Sequence, residues 1–217
     1  MAAHEWFRAS AWDDVVAAEF ELRLKRARPA QHPEFLRLQA TELIASEDAS
    51  TREAGRAMLE RIIREFPYNY ESKFACEQLG TSLAGEGRLA ESEKAYRHTI
   101  MMCKQSSIGY SGGSGVPELF LAEVLLRMGG RTVDAWELLD EVSPRVEQQS
   151  LIRGTVYRHL LASARAASEL ALPTASDFAR SALAVADESE PSLPRHPELG
   201  RVNATDDERA ELARIGG

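Results

Sequence analysis

Apolar positions recur every three to four residues along most of the chain, the spacing of one buried helix face. Trp12, Val16, Phe20 and Leu24, with Ala27 following, predict a helix over 13–28. Ser10 with Asp13 can cap its start, and Pro29 closes it. His32-Pro33-Glu34 opens a second helix with proline in its first turn; its face is Leu36, Ala40, Leu43 and Ile44. Ser50 and Glu53 have the spacing of a capping box and start a third. Its stripe is Leu59, Ile62, Ile63 and Phe66, and Pro67 ends it. A fourth follows Tyr70 through Ala75, Leu79 and Leu83, and Gly85-Glu86-Gly87 stops it. A fifth, over 89–104, carries Tyr96, Thr99, Ile100 and Cys103.

After a glycine-rich stretch at 105–115, Pro117 starts a sixth helix through Leu121, Leu125 and Met128, stopped by Gly129-Gly130. Thr132 caps a seventh with Ala135, Trp136, Leu139 and Val142. Beyond Pro144 the pattern predicts one long helix to about Leu172. Pro173-Thr174, with Asp177, opens the next, to about Ala186. Prolines at 191, 194 and 197 forbid a helix interior, so 187–205 is expected to be extended. Thr205 with Glu208 caps a short last helix bearing Leu212 and Ile215. No hairpin signal of strands occurs. The expectation is an all-α array of antiparallel helix pairs, an α-solenoid of about nine or ten helices. Its parts are a repeat domain over 1–186 and a Pro-rich segment with a short helix over 187–217.

The stretch 55–100 resembles the tetratricopeptide repeat (TPR) family. Phe66-Pro67 ends one helix as the second helix of a repeat often ends, and Leu79-Gly80 stands at the Leu-Gly pair of the next repeat. Gly87 and Leu89 occupy the turn, and Tyr96 the aromatic position of the second helix. The Phe-Pro end looks like the variant found in bacterial proteins. A weaker copy covers 121–142, with Leu121-Ala122 for Leu-Gly, Gly129-Gly130 at the turn and Ala135 as the small packing residue. The chain departs from the family where Ser92 and Thr99 replace alanine and Cys76 replaces an aromatic. The resemblance implies a groove lined by the first helix of each pair. In the better copy it assigns Phe74, Glu77, Thr81 and Ala84 to that groove. In the weaker copy it assigns Leu119, Glu123, Leu126 and Arg127. Phe74 could equally be core, and Glu123 with Arg127 could only brace their own helix as an i, i+4 pair.

Composition narrows the function. The chain has 217 residues, 44% hydrophobic and 28% charged, an ordinary balance for a packed core. With 26 Lys+Arg against 34 Asp+Glu the net charge is −8, mildly acidic in every third of the chain. Nucleic-acid backbones are therefore not expected partners, since binding them needs clustered cations. Arginine far outnumbers lysine, which reads as genome base composition. No run is long and apolar enough to span a membrane, and MAAHEWFRASAWDD does not read as a secretory leader, so a cytoplasmic location is expected. Cys76 and Cys103 read as small buried hydrophobes, not as a disulfide framework.

Candidate chemistry is sparse. Gly109-Tyr110-Ser111-Gly112-Gly113 matches G-x-S-x-G, but that motif needs a strand before its serine, and a helix precedes it here. The same glycines could cradle a phosphate, but no Gly-Lys-Ser/Thr follows, and Pro117 and Glu118 oppose an anion there. A flexible connector is the plainer reading, with Tyr110 as an anchor for a protein contact. Histidines 4, 32, 98, 159 and 196 lack metal-ligand spacing, and His98 and His159 read as solvated. No catalytic residue, metal or cofactor is expected. The expected function is a non-enzymatic module that binds a peptide or partner protein through Phe74, Glu77, Thr81, Leu119, Glu123, Arg127 and Tyr110. A regulatory, inhibitor or immunity-type protein that neutralises or senses a partner is the alternative. A homodimer stays open.

Overall fold

Helix capping and apolar periodicity set the elements in the computed structural model, which describes residues 6–188 and 202–217. Ten α-helices follow in order among them, with no strand. They are α1 (Asp14–Arg26), α2 (His32–Ile44), α3 (Ala49–Glu65), α4 (Tyr70–Gly85) and α5 (Leu89–Gln105). Then come α6 (Pro117–Met128), α7 (Thr132–Gln148), α8 (Arg153–Glu169), α9 (Ala175–Asp187) and α10 (Asp206–Gly216). The fold is all-α among the described residues, with neighbouring helices packed in pairs. Most of the segment expected to be extended over 187–205, together with His4 and His196, lies outside the described residues.

The chain divides into two compact units at Ser114/Gly115, inside the glycine-rich connection, and not near 187. In the first unit α2 packs on α3, α3 on α4, and α4 on α5, while α2 also meets α4. The second repeats this order: α6 with α7, α7 with α8, α8 with α9, and α6 with α8. α10 continues the series against α9 and α8, so it belongs to this body and is no separate tail.

Small residues set how closely the helices approach. A Cβ on Gly55 of α3 would lie 2.9 Å from the Leu43 Cβ and 3.0 Å from the Ile44 backbone nitrogen of α2. One on Gly80 of α4 would lie 3.0 Å from the ring of Tyr96 in α5. The Tyr96 ring is fixed in turn, since its hydroxyl hydrogen-bonds the Thr81 Oγ1 at 2.8 Å. Ser92 and Thr99, which replace alanine, are buried and use their hydroxyls on the Gly80 and Ala95 carbonyls. The core of the first unit runs through Leu24, Leu36, Leu43, Leu59, Ile62 and Ala75. In the second, Leu161, Ala164, Ala179, Ala182 and Leu212 pack α8, α9 and α10 together. Gln39, fully buried, fixes the N-terminal segment by bonding both the N–H and the carbonyl of Ala9.

Some elements differ from the sequence expectation. Asp13 alone caps α1, accepting from the Val16 N–H. Asp48 caps α3, two residues before Ser50; its Oδ2 accepts from both the Thr51 N–H and the Ser50 hydroxyl. These bonds stabilise the carboxylate and lower its pKa to about 2. The long helix expected after Pro144 is instead two helices. Pro144 lies inside α7, on its exposed side, and the break comes at 149–152 through a turn closed by Ile152 N–H to Gln149 O. A proline facing water leaves a carbonyl that solvent can satisfy, so a helix can pass through it. His159 is buried, not solvated: its Nε2–H donates to the Leu139 carbonyl across α7 and α8 at 3.0 Å.

Candidate functional site

In each unit an arginine is clamped between neighbouring first helices by the same pair of residue types. In the first, Arg37 of α2 pairs with Glu71 of α4 and sits 5.0 Å over the Phe74 ring. In the second, Arg158 of α8 pairs with Glu123 of α6 and sits 4.5 Å over the Phe120 ring. Acid and phenylalanine are three residues apart in both, so one helix face presents both to a single guanidinium. Phe74 is therefore only half-buried, its ring edge-on to Tyr70 at 5.3 Å. Glu123 accepts from Arg158 of α8, and burial raises the pKa of its carboxyl.

The expected partner-binding residues fall in both units. Phe74, Glu77, Thr81 and Tyr110 are in the first. Glu77 accepts from the Ser114 N–H at 3.1 Å, while Lys73, 4% exposed, donates to the Gly109 carbonyl at 2.9 Å and to the Ser106 Oγ at 3.3 Å. These bonds tie Ser106, Gly109 and Ser114 to α4, so this loop is not a loose connector. Thr81 is exposed but committed to Tyr96 and to the Glu77 carbonyl. Ser111 lies on an exposed turn, its N–H bonded to the Ile108 carbonyl, after a helix and not after a strand.

Leu119, Glu123 and Arg127 are in the second unit, and Leu119 corrects the groove assignment. It is 0% exposed and lines no surface. α6 packs against both α7 and α8, so residues on two of its sides are buried, Leu119, Leu121, Ala122 and Leu125 among them. Glu118, beside it, is also fully buried and pairs with Arg145 of α7 at 2.6 Å.

Glu123 and Arg127 instead border a cleft of about 730 Å³ framed by α6, α8 and α10. Its apolar lining is Leu126, Leu161, Ala162 and Ile215. Four arginines, at 127, 158, 165 and 214, and four glutamates, at 123, 169, 208 and 211, surround that lining. The glutamates are engaged. Glu123 holds Arg158, and Glu211 takes the Arg165 fork at 2.7 Å and 3.1 Å. Glu208 closes the capping box with Thr205 and accepts from the Tyr157 hydroxyl, whose pKa burial and this carboxylate raise to about 12. Thr132 donates to Glu169. Arg127 and Arg214 are exposed at the edge.

Arg158, Arg165 and the α10 residues were missed in the sequence. The two pairs share a similar separation along the chain: Glu123 and Arg158 stand 35 residues apart, Arg37 and Glu71 34. No cluster of three or more metal-ligating side chains occurs among the described residues. No described helix is long and apolar enough to cross a membrane. Compared with family models, with curated proteins and with solved structures, the chain finds no match.

Proposed function

We propose that the chain is a TPR-like, non-enzymatic binding module, and that the cleft of the second unit holds a short segment of a partner protein. The observation that carries this reading is the make-up of the cleft. An apolar lining of Leu126, Leu161, Ala162 and Ile215 lies within a ring of charges, with Arg127 and Arg214 exposed at its edge. Such a cleft suits an extended or helical segment that offers one apolar side chain and a nearby carboxylate. The apolar side chain provides affinity by leaving water, and the arginines fix its orientation.

The test uses peptides selected against the full chain from a displayed random library. Selected peptides should combine an aliphatic or aromatic residue with an acidic one. Arg127→Glu with Arg214→Glu should weaken their binding by about 10- to 100-fold in fluorescence anisotropy, the loss expected for two charge contacts at a partly desolvated edge. Peptides that bind the double variant as tightly as the native chain would remove the cleft from consideration.

A further inference from the structure

α1 is apolar on two sides, and the fold uses one. Phe20 and Leu24 enter the core of the first unit. Val15, Ala18 and Leu22, spaced three and four residues apart, form a second strip on the other side. Val15 is 75% exposed and Leu22 56%. Beside them opens a shallow hollow of about 490 Å³, bordered by Ala18, Leu22, Leu24, Lys25 and His32. A lone exposed leucine is ordinary, but an apolar strip at helical spacing beside a hollow has the form of a helix-packing surface.

The charges along α1 select the occupant. Acidic residues stand from its N-cap to its middle, at Asp13, Asp14, Glu19 and Glu21, and basic ones at its end, at Arg23, Lys25 and Arg26. Asp14 and Lys25 flank the strip on one side, Glu19 and Arg26 on the other. Glu19 already pairs with Arg23 and Glu21 with Arg61, whereas Asp14 and Lys25 make no ion pair among the described residues. A second α1 laid parallel would set acid against acid and base against base. Laid antiparallel, it sets Asp14 of each copy against Lys25 of the other, Val15 against Leu22, and the two helix dipoles in opposition.

We propose that this strip is a self-association surface, through which two copies of the chain pair along α1 in antiparallel orientation. The contact is one isologous helix pair, about 20 Å long for a helix of this size. So small an interface holds weakly, with a dissociation constant on the order of 10–100 µM. This inference is independent of the cleft.

Sedimentation equilibrium on the full chain tests it. The native chain should show a monomer–dimer equilibrium in that range. Leu22→Glu, at a position outside the core, should keep full helicity by circular dichroism and raise the dissociation constant at least about 10-fold. Asp14→Lys should also weaken the dimer, and adding Lys25→Asp in the same chain should restore it, because the exchanged charges meet again only in an antiparallel pair. A chain that stays monomeric up to about 1 mM, two decades above the lower bound, overturns the proposal. So does a dimer indifferent to Leu22→Glu, or an Asp14→Lys defect that Lys25→Asp leaves in place.

Discussion

His159 shows how one buried ring makes the fold sensitive to acid. Burial lowers its pKa, while its Nε2–H bond to Leu139 and the charge of Glu147 oppose that shift only in part. In the unfolded chain the imidazole titrates near its ordinary value, about 6.5. Below that value the unfolded state takes up a proton that the folded state resists, so stability present at neutral pH is lost as pH falls. The melting temperature should therefore drop more steeply between about pH 7 and 5 in the native chain than in His159→Gln, which keeps a donor for Leu139. Equal slopes would show that His159 is not the group responsible. The sequence could not reveal this, since Arg158-His159 reads as polar surface until α8 is seen to be buried on more than one side. The glycines are more legible. Alanine in a helix is favoured over glycine by about 1 kcal/mol, but overlap with packed neighbours costs about 1–3 kcal/mol. At Gly55 the neighbours include backbone, which cannot yield. Gly55→Ala should lower stability by about 1–2 kcal/mol in urea titration. Gly85→Ala, with open space around it, should be neutral or stabilising; a loss as large as at Gly55 would mean that close approach is not the cause.

At the scale of elements, α10 depends most on its cap. It is only 11 residues long, buries one leucine fully, and begins with a complete capping box of Thr205 and Glu208. Helices this short are marginal alone, so the cap and the Arg165–Glu211 fork hold one wall of the cleft in place. Thr205→Ala should cost about 1 kcal/mol and speed amide exchange across α10, leaving α6 unchanged. Exchange that rises equally in both helices would show that α10 does not open on its own. This cap was readable in the sequence because its two members carry a distinctive spacing. The cap of α3 was not, because Asp48 and Ser50 are both good caps and share one hydrogen-bond cluster. The break at 149–152 escaped for a related reason: Pro144 is the local residue that signals an end, and its exposed position lets the helix continue. The cleft escaped because its lining comes from three helices far apart in sequence.

At the scale of the whole molecule, the division at Ser114/Gly115 predicts two responses to one lesion. Leu59, fully buried in the first unit, should cost about 2–5 kcal/mol when replaced by alanine. Native-state amide exchange should then accelerate in α2 to α5 well before α6 to α9, while uniform acceleration would show a single cooperative body. Helix number and pairing were legible because each stripe is local; the division was not, because it depends on which stripes share a core. The tie between Lys73 and the 106–115 loop has a practical consequence. The chain has four lysines, at 25, 73, 94 and 104, and only Lys73 is buried. An amine-reactive label will therefore mark the other three first, and slow labelling of Lys73 will report how often the loop lets go.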